Sequence, residues 1–174
     1  MARTNALARR IYNNGFTVVE LIVVLALFAL MAGFAIPNVA RIMPKYRLKE
    51  AARDLYSNFQ LAKITAIKEG APSAVEFIND GYKIFIDLNK NLQQDSNDTL
   101  IKQINWSDYK SVQVSSISFA DNDASHPAIG FLPAGLAINK NGGLGMGTVV
   151  LNLANNATEQ MQVVVSTTGL VRIE

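Results

Sequence analysis

The sequence predicts an α+β fold, with one long N-terminal helix packed against a C-terminal antiparallel β-sheet domain. Three observations carry this. Residues Phe16 to Ile36 form an apolar run of 21 residues whose one ionisable side chain is Glu20. Helical spacing of apolar residues then continues to Ala66. Beyond Pro72 the pattern changes to short alternating segments separated by turn residues, which read as strands.

The chain has 174 residues, enough for one membrane-length helix and one folded domain of about 100 residues. Its formal charge is +2, and the first 15 residues hold Arg3, Arg9 and Arg10 with no acid. Without those three arginines the remainder carries 13 basic and 14 acidic residues, a balance of −1. A domain so close to neutral is poor evidence for nucleic-acid binding. The chain has no cysteine, which excludes disulfides, thiolate metal sites and cysteine catalysis.

Residues 1–15 are short, basic and polar, like the charged front of a secretory signal. No small-residue cleavage site follows the apolar run, so residues 16–36 read as a retained transmembrane segment. At a rise of ~1.5 Å per residue that segment is ~31 Å long, close to the hydrocarbon thickness of a bilayer. A carboxylate at mid-bilayer costs roughly 2.5–3.5 kcal/mol on insertion scales, and less near the headgroups. Glu20 sits near one end of the run and still wants a partner. Arg41, Lys45, Arg47 and Lys49 follow the run as closely as the leader arginines precede it, so charge alone leaves the orientation open.

Pro37 is expected to kink the helix, because proline lacks the N–H and crowds the preceding turn. Residues 37–70 then form an amphipathic half: Leu48, Ala52, Leu55, Phe59, Ala62 and Ala66 recur at steps of three and four. That stripe suits packing against the following strands better than docking to another protein, because the sheet otherwise lacks a cover. The basic band from Arg41 to Arg53 is either a contact for headgroups or a neighbouring subunit, or a solvated face balanced by Glu50 and Asp54. Gly70 and Pro72 stop the helix.

Residues 71–174 form the β-rich domain. Ser73–Asn79 and Tyr82–Leu88 read as a hairpin over Asp80-Gly81, and Leu88 to Leu100 as a polar loop. Val112, Val114, Ile117 and Phe119 alternate with a slip at Ser115-Ser116 that predicts a bulge. Ile129–Leu132 is a short strand, Asn139 to Gly147 a loop, Thr148–Leu153 with Glu159–Val165 a second hairpin, and Leu170–Ile173 a last strand.

Catalytic and metal constellations are weak. His126 is the single histidine, with no nucleophile elbow to accompany it, and reads as a surface residue. Asp87, Asn89, Asn91, Asp95 and Asp98 have the spacing of a calcium loop. Leu92 stands where the sharp turn wants glycine, and Asp98 where a bidentate Glu belongs, so a solvated loop is the preferred reading. Gly142-Gly143-Leu144-Gly145 lacks the Lys-Ser/Thr of a phosphate loop. No metal, cofactor or enzymatic activity is expected.

The opening stretch resembles the processing signal of type IV pilins and type II secretion pseudopilins: a basic leader, Gly15, Phe16, Thr17, Glu20 and an apolar run with Pro37 at its end. Three later segments resemble GspH/FimT-type minor pseudopilins: Tyr82 to Asp87, Phe131 to Gly135, and Val163 to Ile173. The resemblance implies cleavage between Gly15 and Phe16 by a prepilin peptidase, and N-methylation of Phe16. It implies an assembly contact in which Glu20 meets the N-terminal amine of a neighbour, so that a lone buried charge becomes a pair. It further implies a single-pass inner-membrane protein with a periplasmic C-terminal domain, whose partners are other pseudopilins or pilins, the peptidase and membrane lipid. The implied function is that of a minor pseudopilin in a type II secretion system, with a minor pilin of a type IV pilus as the alternative. Gly169-Leu170-Val171-Arg172 keeps one arginine of the Gly-Arg-x-Arg seen in DNA-binding relatives, which argues against DNA uptake.

Overall fold

The computed structural model describes residues 15–120 and 126–174, except for the side chains of Ala35 and Pro37. The basic leader up to Asn14 lies outside the described residues, as does the side chain on which the expected kink depends. The chain divides into two compact units, at Arg41/Ile42.

Helix α1 runs from Val18 to Glu69. In the first unit the large apolar side chains from Phe16 to Ile36 are all exposed, for example Phe16 at 82% and Phe34 at 76%. Among the described residues no single helix is long and apolar enough to cross a membrane. The segments Val18–Phe34 and Asn38–Glu69 meet the length and composition requirement as a broken pair.

In the second unit the amphipathic half of α1 lies on two antiparallel sheets. The first contains β1 (Ser73–Ile78), β2 (Gly81–Ile86), β3 (Thr99–Asn105), β5 (Ala128–Phe131) and β6 (Ala137–Ile138), in the order β3-β2-β1-β5-β6. The second contains β4 (Val112–Phe119), β7 (Gly147–Leu153), β8 (Asn156–Val165) and β9 (Val171–Ile173), in the order β4-β7-β8-β9. A turn of 3-10 helix, Trp106–Asp108, joins β3 towards β4.

All six residues of the expected stripe, Leu48 to Ala66, are buried. They share one core with Val75, Phe77, Tyr82 and Ile84 of the first sheet and Val149, Leu151, Val163 and Val165 of the second. Phe59 sits at its centre, with ring centroids 6.3 Å from Phe77 and 6.5 Å from Phe131. Each such side chain contributes roughly 1.5–3 kcal/mol on burial, which explains why this half of α1 is held as the spine of the domain.

Strand β1 is buried on both faces, because its neighbour on the far side is the segment between β2 and β3. Leu92, fully buried, packs there with Ala74, Phe85, Ala128 and Ile138 in a second cluster. The 88–98 segment therefore roofs the sheet rather than merely crossing solvent.

Four expectations shift. The first hairpin turns at Asn79-Asp80, with Ile78 paired to Gly81. Neither turn residue has positive φ, so the turn is not of the primed type. Thr99 and Leu100 belong to β3, an exposed edge strand whose Lys102 and Gln103 hide the alternation. The Asn139–Gly147 loop follows an unforeseen two-residue strand, β6, and Gly147 itself opens β7. The bulge in β4 is found where the slip placed it, between Val114 and Ser116. The second hairpin closes more tightly than expected, with Leu153 paired to Asn156.

Candidate functional site

The expected processing segment is built around the start of α1. Gly15, Phe16 and Thr17 precede the helix, and Val18 is its first residue. The Thr17 hydroxyl oxygen accepts the N–H of Glu20 at 3.2 Å, and the Thr17 carbonyl accepts the N–H of Leu21 at 3.1 Å. Thr17 is thus an N-cap, and Thr17-Val18-Val19-Glu20 has the spacing of a capping box. Glu20 stands in the first turn, where the helix dipole favours a negative charge. The cap leaves the Gly15–Phe16 bond outside the helix, with both residues exposed. The Thr-x-x-Glu spacing was readable in the sequence and marks Thr17 as more than a filler between Phe16 and Glu20.

Lys45 donates to Glu159 of β8 at 2.6 Å across the surface, and Arg53 is exposed. Nearby, polar residues of α1 tie the helix to the sheets. Asn58 is buried, accepts from the Lys102 ammonium at 3.1 Å and donates to the Tyr82 hydroxyl at 2.7 Å. Burial pushes the Tyr82 phenol well above its ordinary value, partly offset by the Asn58 bond. The Tyr109 hydroxyl donates to Asp54 at 2.9 Å; burial raises its pKa and that bond adds to the rise. Both phenols stay neutral and act as structural donors and acceptors.

In the loop of calcium-like spacing, the carboxylates face the loop's own backbone. Asp87 is fully buried; Oδ1 accepts the N–H groups of Lys90 (2.8 Å) and Asn91 (3.3 Å), and Oδ2 that of Leu92 (3.0 Å). Desolvation raises the Asp87 pKa, and these N–H bonds pull against the rise. Asp98 accepts from Leu88 and Asp95, and Asp95 from Asn97 and the Asn89 side chain. Glu76 of β1, also buried, accepts the N–H of Gln94, and Lys83 donates to the Gln94 side chain. The acids hold a lid over the first sheet. Among the described residues no group of three His, Cys, Asp or Glu side chains is arranged to hold a metal ion. His126 is exposed beside Pro127.

Two of the three later segments singled out in the sequence converge. Phe131 to Gly135 ends in a tight turn at Gly135, and the turn between β8 and β9 brings Gly169 against the Gly135 carbonyl. The Lys63 ammonium of α1 donates to the Gly169 carbonyl at 2.9 Å and closes the arrangement.

Comparison with known proteins agrees with both halves. Residues 10–36 match the prokaryotic N-terminal methylation motif, and residues 51–169 match the family described as type II transport protein GspH. No curated protein matches the chain. Among solved structures, the type IV minor pilin FimU of Pseudomonas aeruginosa superposes with a TM-score of 0.53 at 11% identity, over 73% of this chain and 92% of that one. The minor pseudopilin EpsH from the type 2 secretion system of Vibrio cholerae superposes with a TM-score of 0.52 at 17% identity, over 74% of this chain and 96% of that one. A pilin-like fold, an N-terminal methylation motif and a family match over most of the globular domain meet in one sequence: the chain belongs to the GspH family of type II transport proteins.

Proposed function

We propose that the protein is a minor pseudopilin of a type II secretion system, a non-enzymatic subunit that assembles with other pilin-like subunits into a periplasmic filament. The observation that carries this reading is the methylation motif at residues 10–36 placed ahead of a GspH match at 51–169. The exposure of every large apolar side chain from Phe16 to Ile36 supports it, because such a surface needs lipid or other helices around it. In this reading α1 stores the subunit in the inner membrane with the C-terminal domain in the periplasm. Pro37 bends the helix where it leaves the bilayer. A prepilin peptidase cuts between Gly15 and Phe16, on the exposed stretch before the Thr17 cap, and the new Phe16 amine is methylated. On assembly, the Glu20 carboxylate meets the amine of a neighbouring subunit. Stranding either partner is costly in an apolar setting, so the pair selects register.

The near-equal likeness to FimU supports one alternative, a minor pilin of a type IV pilus. A deletion strain separates the two. The secretion reading expects exported enzymes to accumulate in the periplasm while surface pili persist; loss of pili with secretion intact would establish the alternative instead.

A further inference from the structure

Between Pro37 and Lys49 the sequence holds four cations, Arg41, Lys45, Arg47 and Lys49, and no acid. From Asp54 to Glu174 the balance reverses, with 8 basic and 12 acidic residues. Charge beyond the apolar run is therefore divided: basic where the run ends, acidic over the rest of the chain.

The fold leaves this basic stretch uncovered. Leu48, Ala51 and Ala52 turn into the core. Ile42, Tyr46 and Lys49, at steps of four and three, share another side of α1 and are all exposed, Tyr46 at 65%. Lys45 is paired with Glu159, yet its side chain remains 60% exposed. Arg41 and Lys49 make no ion pair among the described residues.

An exposed tyrosine among lysines and arginines, directly after an apolar run of membrane length, has the composition of a membrane–water interface. There the ring lies among headgroups, and the long basic side chains carry their charges to the phosphates. Position favours the same occupant. Ile42 follows Ile36 by six residues, ~9 Å of helix, and an anionic surface acts over about 8 Å at physiological salt. An apolar protein surface laid here would desolvate the cations without pairing them, whereas anionic headgroups pair with each. The acidic remainder of the chain is repelled by that surface, which gives the attraction a direction.

Resting on the membrane storage proposed above, we infer that residues 41–49 form a collar that binds anionic phospholipid headgroups. Arg41, Lys45 and Lys49 pair with the phosphates, and Tyr46 lies among them.

The test reconstitutes the full chain into vesicles of phosphatidylcholine, alone or with about a third phosphatidylglycerol. Ile42→Cys in this cysteine-free chain reports cover of the collar through its rate of reaction with a membrane-impermeant maleimide. Ser96→Cys, on the exposed loop before β3, is the reference. Phosphatidylglycerol is expected to slow the reaction at residue 42 about tenfold relative to the reference, and about 0.5 M salt to restore it. Adding Arg41→Gln and Lys49→Gln should abolish the slowing with the melting temperature retained. Equal rates in the two lipids, or slowing that survives both substitutions, overturn the inference alone. Slowing that follows protein density in neutral vesicles assigns the face to another copy of the chain and also overturns it. Release of the chain from vesicles by alkaline carbonate overturns the membrane storage itself.

Discussion

The ammonium of Lys63 donates a 2.9 Å hydrogen bond to the carbonyl of Gly169, joining residues 106 positions apart in the chain. Around it three separate stretches meet: the last turns of α1, the turn after β5 at Gly135, and the turn between β8 and β9. Gly135 and Gly169 both have positive φ, at 80° and 69°. A Cβ on Gly169 would collide with the Gly135 carbonyl oxygen. The contact fixes how the second sheet sits against the helix and the first sheet.

Gly169→Ala is therefore expected to destabilise the domain more than Gly142→Ala does. Gly142 has a similar φ of 76° but open space around its Cβ position. The left-handed backbone costs roughly 1–3 kcal/mol in both, and the clash adds to it only at Gly169. Lys63→Met should cost about 1–2 kcal/mol by removing the charged donor. Denaturant midpoints at constant m-value measure all three; equal effects of the two glycine substitutions would contradict the packing described.

Gly130 leaves room for the lid. A Cβ there would come within 2.6 Å of Leu92 Cδ2 and 2.8 Å of Ile138 Cγ1. Gly130→Ala should cost roughly 1–3 kcal/mol by overpacking and loosen the 88–98 segment. Limited proteolysis within that segment, faster in the variant than in the wild type, is the expected result.

Asp87 gives the lid a pH dependence with a definite sign. Burial raises its folded-state pKa above the ordinary 3.8, so the folded state binds the proton more tightly than the unfolded one. Its contribution to stability is then fully present below 3.8 and is lost as pH rises through the raised value. Asp87→Asn removes that slope and, at neutral pH, also removes an acceptor for one of the three backbone N–H groups. Stability measured against pH in both proteins should diverge over this window; parallel curves would show that Asp87 does not titrate with folding.

Phe59→Ala should cost roughly 3–5 kcal/mol, since the ring is fully buried where helix and sheets meet. Thermal unfolding of the two proteins under one set of conditions measures it.

Much of this architecture is legible in the residues. The steps of three and four from Leu48 to Ala66 select a helix face, and that face is the one buried against residues of both sheets. The slip at Ser115-Ser116 marks a real bulge, because changing face along a strand requires an extra residue. Strand β3 escapes notice because it is exposed on an edge, so its alternation never had to be apolar. The role of the 88–98 segment escapes too: its one buried residue is Leu92, which packs against Gly130, and Gln94 donates to the buried Glu76, both partners being distant in sequence. At the N-terminus, Gly15, Phe16 and Glu20 stand out for their types, whereas Thr17 becomes informative once its hydroxyl is seen to receive the Glu20 N–H.

The proposal that α1 begins as a processed filament helix is tested most directly by the intact mass and N-terminal peptide of the mature chain. The predicted result is a chain starting at Phe16 with one N-methyl group, and a Glu20→Ala variant that is processed in the same way yet poorly incorporated into filaments. A mature chain that retains Met1, or begins elsewhere than Phe16, would contradict it.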